Sequence, residues 1–169
     1  MKIYLTGFMA AGKSTLAKKL AAKLNIPYID LDNEIERVCG KSITRIFTDD
    51  GEEAFRKIES RLLVHASKKN DAFVMACGGG VLESEQNLFT LQDYGVLVFV
   101  DTSIDVIKKR LTEDNVERPL LKNMKETQRN NIIEELYKKR MHQYNKADVV
   151  FKPDTESMDK LISRIMESS

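Results

Sequence analysis

A glycine-rich octapeptide near the start of the chain, Gly7–Ser14 (GFMAAGKS), lies between a short apolar run and an amphipathic stretch. It matches the GxxxxGK[ST] pattern of phosphate-binding loops in full. Glycines allow a tight turn that points successive backbone N–H groups at phosphate oxygens. A helix expected over Lys13–Leu24 would direct its positive N-terminal end at the same charge. The alternative is a chance match, and the flanking strand and helix argue against it.

Short apolar runs alternate with longer segments of 3.6-residue periodicity along the chain. The candidate strands are Ile3–Thr6, Tyr28–Leu31, Ala72–Ala76, Val96–Val100 and Asp148–Phe151. Several are apolar throughout, as expected for a parallel sheet that is covered on both faces. The repeated βα units predict a doubly wound α/β fold, in a single domain over residues 1–169. Residues Thr112–Gln128 form a long polar connection, which is typical of a lid.

Composition argues against several classes of protein. The chain has 27 Lys and Arg against 26 Asp and Glu, a formal charge of +1 and no basic run, so nucleic acid is not an expected partner. No apolar run approaches the roughly 18 residues of a membrane span. The apolar run at the start of the chain ends at Gly7, so it is too short to be the apolar part of a signal peptide. Cys39 and Cys77 have neither metal-ligand spacing nor a disulfide framework. We expect a reduced, cytoplasmic protein without a membrane partner.

The phosphate-binding loop carries residues with separate expected roles. Lys13 would reach the β- and γ-phosphates of a nucleotide, and the Ser14 hydroxyl would ligate Mg²⁺. The other residues of the loop expected to contact ATP are Ala10, Ala11, Gly12 and Thr15. GTPases, motor ATPases and small-molecule kinases all share such a loop, so the loop alone does not define the reaction.

Two carboxylates, Asp30 and Asp32, stand at i and i+2 at the end of the second candidate strand. In a strand they would point to the same side, at the carboxyl end where ligands of open α/β sheets bind. One can hold Mg²⁺ through water, and the other can accept the proton of a substrate hydroxyl during phosphoryl transfer. We assign the first role to Asp30 and the second to Asp32. The alternative is that Asp32 only caps a helix beginning at Asn33.

A run of three glycines, Gly78, Gly79 and Gly80, follows the strand Ala72–Ala76 and would allow a ligand to approach the backbone closely. A flexible turn is the alternative for this run alone. Combined with the phosphate-binding loop and the two aspartates, however, the pattern resembles the shikimate kinases. Further segments similar to that family are Gly40–Phe47, Asp50–Glu52, Phe55–Glu59 and Arg118–Leu121. The resemblance covers nearly the whole chain, with the motifs in the family's order.

The resemblance implies a three-layer α/β/α P-loop kinase with five parallel strands in the order 2-3-1-4-5. It implies ATP-dependent phosphorylation of the shikimate 3-hydroxyl, giving ADP and shikimate 3-phosphate, in the route to chorismate and the aromatic amino acids. Mg²⁺ is the implied cofactor, and ATP and shikimate are the implied partners of what we expect to be a monomer. The implied shikimate-binding region spans about residues 32–62, and the lid spans about residues 112–128.

By resemblance, Arg56 and Arg140 hold the substrate carboxylate, Glu59 steadies Arg56, and the backbone of the glycine run supports the ring hydroxyls. The other implied substrate contacts are Asp32, Phe47, Phe55, Pro119 and Leu120. Arg56 and Glu59 lie at i and i+3, so an ordinary surface ion pair is the alternative. Core packing is the alternative for the two phenylalanines, although both roles can hold together.

Arg140 carries evidence of its own, because it falls on the apolar stripe of its helix, where Leu would be ordinary. A snorkelling arginine is the alternative. Arg110, by resemblance, packs on the adenine, with a surface position as the alternative, and Lys152–Thr155 is expected nearby. Arg118, next to Pro119 in the expected lid, is assigned as a catalytic cation for the γ-phosphate, like an arginine finger supplied in cis.

Two rival functions remain open from the residues alone. One is another small-metabolite kinase, such as a gluconate or nucleotide kinase, and the glycine run with Arg56 and Arg140 favours shikimate. The other is a nucleotide-binding regulatory domain that has lost catalysis. Such a domain would be expected to lack Lys13, Asp32 or Arg118, and all three are present.

Overall fold

The computed structural model describes residues 1–69, 71–113, 121 and 125–169. Five parallel strands in these ranges form one sheet in the order β2-β3-β1-β4-β5, which confirms the expected topology. The strands are β1 (Lys2–Thr6), β2 (Tyr28–Asp30), β3 (Phe73–Ala76), β4 (Val96–Val100) and β5 (Val149–Phe151). β1 lies at the centre, where Ile3 is in register with Val74 of β3 and Val96 of β4.

Eight α-helices lie within the described residues. They are α1 (Lys13–Leu24), α2 (Leu31–Cys39), α3 (Ile43–Asp49), α4 (Gly51–Ser67), α5 (Glu85–Tyr94), α6 (Ile104–Glu113), α7 (Glu126–Tyr144) and α8 (Met158–Glu167). A short 3₁₀ turn, Val81–Glu83, lies between the glycine run and α5. Across the described ranges, no helix combines the length and apolar character needed to cross a membrane.

Apolar residues cover both faces of the sheet, because neighbouring side chains of each central strand point to opposite sides. On one face, Leu5 packs in a buried cluster with residues of α1 and α8, such as Leu20 and Leu161. On the other face, Tyr4 belongs to a larger cluster that includes residues of α2, α4, α5, α6 and α7, such as Leu63. The result is the three-layer α/β/α arrangement that the apolar strands predicted.

The passage from β2 to α2 differs from the prediction. Asp30 ends the strand in an extended conformation and caps α2, since its Oδ1 accepts a hydrogen bond from Asn33 N at 3.3 Å. Asp32 therefore lies in the first turn of α2, and the prediction that the two aspartates share a strand face is wrong. The alternative in which Asp32 caps a helix is also wrong, because Asp30 has that role.

The expected lid, residues 112–128, is described only in part. α6 ends at Glu113 and α7 begins at Glu126, and Leu121 between them is buried in the larger core cluster. The predicted site residues Arg118, Pro119 and Leu120 lie outside the described residues.

Candidate active site

The loop Gly7–Ser14 runs from the carboxyl end of β1 into α1, as the sequence predicted. Ala10 has a φ of 59°, a left-handed conformation that is uncommon for a residue with a side chain. Two side chains bond to carbonyls of this part of the loop: Arg110 Nη1 donates to Ala10 O, and Thr102 Oγ1 donates to Ala11 O, each at 2.9 Å. These bonds stabilise the turn, and they place Arg110 beside the phosphate-binding loop rather than on a distant surface.

Lys13 lies across the loop to which it belongs. Its Nζ donates to the carbonyl oxygens of Gly7 at 3.0 Å and Phe8 at 2.8 Å. The ammonium is therefore at the concave side of the loop, where phosphate oxygens bind in loops of this pattern.

The two residues assigned to the metal are in direct contact. Ser14 Oγ donates to Asp30 Oδ2 at 2.8 Å. Among the described residues, no group of three or more His, Cys, Asp or Glu side chains is placed to enclose a metal ion. One hydroxyl and one carboxylate nevertheless fit Mg²⁺, because this ion prefers oxygen ligands, keeps several waters and takes the rest of its ligands from substrate phosphates.

Tyr28 is a member of this site that the sequence reasoning missed. Its hydroxyl donates to Asp30 Oδ2 at 2.8 Å, the same oxygen that accepts from Ser14. Burial and the neighbouring Asp30 carboxylate raise the pKa of Tyr28 to about 12, so the phenol remains a donor at neutral pH. The i, i+2 spacing of Tyr28 and Asp30 in one strand was the available signal.

A cavity of about 670 Å³ opens along the phosphate-binding loop. The residues that line it include Asp30, Asp32, the first two glycines of the glycine run, Arg110 and Pro153. Pro153 thus borders the same cavity as the phosphate-binding loop, and the position of Lys152–Thr155 near the adenine stays a prediction. Both aspartates therefore border one cavity, although they do not share a strand.

The glycine run packs against four charged side chains. A Cβ on Gly78 would lie 2.8 Å from Glu59 Oε1 and 3.3 Å from Asp32 Oδ1. On Gly80 it would lie 2.8 Å from Arg56 Cζ and 2.9 Å from Arg140 Nη2. Only glycine permits such close approach. The run is therefore the place where both predicted arginines meet, at Gly80, with the two carboxylates two residues earlier, at Gly78.

The Arg56–Glu59 pair is not an ordinary surface ion pair. Arg56 Nη1 lies 2.9 Å from Glu59 Oε2, and the Glu59 side chain is fully buried. Burial raises the pKa of Glu59, and the Arg56 guanidinium opposes the increase. Burial also acts to lower the pKa of Arg56, but the carboxylates of Glu59, Glu83 and Glu52 outweigh it and raise that pKa. Arg56 is thus held as a cation beside the glycine run.

Arg140 is buried within α7 together with Ile133 and Tyr144, and its exposed fraction of 4% excludes a snorkelling side chain. Its Nε and Nη2 both lie 2.7 Å from Glu83 Oε1. Tyr144 donates its hydroxyl to Gly79 O at 2.5 Å, which ties the same helix to the glycine run. The sequence reasoning did not identify Glu83, because 57 residues separate it from Arg140.

The two predicted phenylalanines lie together. The ring centroids of Phe47 and Phe55 are 4.8 Å apart, and Phe55 is buried in the core. The Arg56 guanidinium carbon is 5.1 Å from the centroid of Phe55. Core packing therefore accounts for Phe55, and the same ring supports Arg56.

A phosphate-binding loop at the central strand of a 2-3-1-4-5 sheet, beside a glycine run that two arginines contact, defines a P-loop protein whose site can bind phosphate groups. The family model for shikimate kinase matches residues 9–169. A shikimate kinase of Chlorobaculum tepidum is 39% identical over 168 residues, which cover 96% of this chain and 87% of that protein.

Solved structures agree. The shikimate kinase of Bacteroides thetaiotaomicron superposes with a TM-score of 0.85 and 33% identity, over 99% of this chain and 95% of that one. The shikimate kinase of Acinetobacter baumannii in complex with shikimate gives a TM-score of 0.82 and 30% identity, over 98% of this chain and 90% of that one. The chain belongs to the shikimate kinase family, and it is a kinase.

Proposed function

We propose that this kinase transfers the γ-phosphate of ATP to the 3-hydroxyl of shikimate, producing ADP and shikimate 3-phosphate. The observation that carries the proposal is the convergence of Arg56 and Arg140 on Gly80, beside the phosphate-binding loop. Two guanidinium groups at one point suit a small carboxylate, because each can donate two parallel hydrogen bonds. Shikimate carries one carboxylate and three hydroxyls on a small ring, and the Acinetobacter baumannii relative was solved in complex with it.

Asp32 is the proposed proton acceptor. Its Oδ1 lies next to Gly78, and the residue borders the cavity of the phosphate-binding loop, so it lies between that loop and the glycine run that the two arginines contact. The reacting hydroxyl would pass its proton to the Asp32 carboxylate as its oxygen bonds to the γ-phosphorus and the bond to the β-phosphate oxygen breaks. ADP leaves with that oxygen, which balances the transfer.

The phosphate-binding loop would hold the nucleotide. Its backbone N–H groups and Lys13 would bind the phosphates and stabilise the charge that develops on the transferring group. Ser14 and Asp30 would hold Mg²⁺, which supplies neutralisation of the phosphate charge when bound. The remaining ATP contacts that we propose are Ala10, Ala11, Gly12, Thr15 and Arg110.

The helices that follow β2 support a shikimate-binding region at about residues 32–62. α2 supplies Asp32, α3 supplies Phe47, and α4 supplies Phe55, Arg56 and Glu59. We propose, from the resemblance alone, that Arg118, Pro119 and Leu120 complete the site, with Arg118 at the γ-phosphate. We also propose that the chain acts as a monomeric single domain.

An assay that couples ADP release to a visible signal tests the proposal, with shikimate, gluconate, CMP and AMP as separate acceptors. We expect kcat/KM for shikimate to exceed the value for each other acceptor by at least about a hundredfold, since a pocket built for a carboxylate and hydroxyls rejects ligands that leave its polar groups unpaired. A higher kcat/KM with gluconate or a nucleotide would refute it, as would ADP release that no acceptor stimulates.

A further inference from the structure

The 3₁₀ turn Val81–Glu83 places Glu83 in a defined position directly after the glycine run. The side chains of Val81 and Leu82 are buried in the core. Glu83 N donates to Gly80 O at 3.0 Å, and Asn87 Nδ2 donates to Val81 O at 2.9 Å. Because both the core and these bonds fix the turn, the Glu83 side chain projects from a rigid base.

Glu83 holds one edge of the Arg140 guanidinium. Both Nε and Nη2 contact Glu83 Oε1 at 2.7 Å. The terminal nitrogens face the glycine run, since Nη1 would lie 3.5 Å from a Cβ on Gly79 and Nη2 would lie 2.9 Å from one on Gly80. A guanidinium is planar and its five N–H groups form a rigid fork, so fixing the Nε edge also fixes the direction of the terminal edge.

The two arginines next to Gly80 are thus held in the same manner. Arg56 is paired with Glu59, and Arg140 is paired with Glu83, each through a charge-assisted contact. The Glu83 carboxylate also acts on Arg56, as one of the charges that raise the pKa of that residue. An arginine oriented before the substrate arrives loses less conformational freedom on binding.

We propose that Glu83 is a positioning residue that holds Arg140 with its terminal guanidinium nitrogens directed at the substrate carboxylate. The inference rests on the proposed function, because it requires a carboxylate-bearing acceptor at Gly80. It assigns to Glu83 no contact with the substrate, so Glu83 affects binding through the arginines, and chiefly through Arg140, which it contacts directly.

Calorimetric titration in the absence of nucleotide tests the proposal. The two ligands are shikimate and an analogue that has the same ring and hydroxyls but lacks the carboxylate. Glu83→Ala should weaken shikimate binding about tenfold. Glu83→Gln keeps an acceptor oxygen for Arg140 Nε, so its affinity for shikimate should lie between that of Glu83→Ala and that of the wild type. Binding of the ring without a carboxylate should not change. In an Arg140→Ala background, Glu83→Ala should weaken binding much less than it does alone, since residues that act through one another are not additive.

Asp159→Ala is the matched control, because Asp159 pairs with Lys23 on an exposed surface outside the proposed shikimate-binding region. It should leave the dissociation constant of shikimate unchanged. Thermal unfolding establishes that each variant is folded at the temperature of titration. If Glu83→Ala does not fold, Glu83→Asp replaces it, and a loss of at least about threefold, confined to shikimate, is expected.

The outcomes separate this inference from the proposed function. If the wild type neither binds nor phosphorylates shikimate, the proposed function is wrong. If the wild type does both, three results would each overturn the positioning role. The first is unchanged shikimate binding in Glu83→Ala. The second is tighter shikimate binding, which would mean that Glu83 competes with the substrate carboxylate. The third is equal weakening for both ligands, which would mean that Glu83 has a purely structural role.

Discussion

Replacing Gly80 with alanine should separate substrate binding from folding. The added Cβ would lie 2.8 Å from Arg56 Cζ and 2.9 Å from Arg140 Nη2, whereas ordinary contacts are about 3.5–4.0 Å. Arg56 Nη2 would lie closer still, so the Arg56 guanidinium must move away by about 1 Å and that of Arg140 by about 0.6 Å. Gly80 has a φ of −105°, which any residue can adopt, so the backbone itself is not strained.

The cost should fall mainly on shikimate. Losing one charge-assisted hydrogen bond to the carboxylate costs about 1.5–3 kcal/mol, which corresponds to a rise of about ten- to a hundredfold in the dissociation constant. The movement of two side chains should lower the free energy of unfolding by about 1–3 kcal/mol, as other overpacked sites do. The affinity for ATP should stay within about twofold, because the atoms nearest to the new methyl group belong to Arg56 and Arg140 and not to the phosphate-binding loop.

Calorimetric titration with each ligand and thermal unfolding together provide the assay. Gly95→Ala is the control, since a Cβ on Gly95 would lie 2.9 Å from Lys2 C at the amino end of β1, so alanine there strains the fold without touching the site. Unchanged shikimate affinity in Gly80→Ala would refute the assignment of both arginines to one carboxylate. An equal loss for ATP and shikimate would show instead that the change acts through the fold.

Three further changes test other parts of the site. Asp32→Asn keeps the shape but loses the proton acceptor, so kcat should fall by about 10²–10⁴ with ATP affinity intact; a loss confined to ATP affinity would assign Asp32 to the metal. Burial raises the pKa of Glu59 above its ordinary 4.5, so the folded chain binds this proton more tightly than the unfolded chain does. The contribution of Glu59 to stability must then increase as the pH falls through that raised pKa, by at most about 1.4 kcal/mol per pH unit. Chemical unfolding of the wild type and Glu59→Gln across pH 4–8 measures the difference between their free energies of unfolding. This difference should change in favour of the wild type as the pH falls, and a change of opposite sign would contradict the raised pKa. Arg118→Lys keeps the charge without the planar fork, and steady-state kinetics should show kcat reduced at least about tenfold; wild-type turnover would remove Arg118 from the reaction.

The sequence predicted the architecture well because the signals for it are local. Apolar runs identified all five strands to within one residue at each end, and the loop before Lys13 placed the start of α1. Arg140 on an apolar stripe correctly indicated a buried cation. The strand order came from the resemblance, since no local pattern records which strands are neighbours.

What the sequence did not predict depends on contacts across the fold or on the exact end of an element. Glu83 reads as an ordinary residue before α5, and its pairing with Arg140 exists only once α7 packs against the glycine run. Asp32 was assigned to a strand because Asp30 was not recognised as the cap that ends it. Asp30 and Asp32 still border one cavity with the phosphate-binding loop, because the carboxyl ends of parallel strands share an edge of the sheet.

The most direct test of the account is the identity of the product. Phosphorus NMR, correlated to ring protons, of a completed reaction with ATP and shikimate gives both the position and the amount of phosphate transferred. The account predicts one phosphate on the 3-hydroxyl for each ADP released. Phosphate on another hydroxyl, or ADP accompanied by inorganic phosphate alone, would contradict the placement of the acceptor hydroxyl beside Asp32.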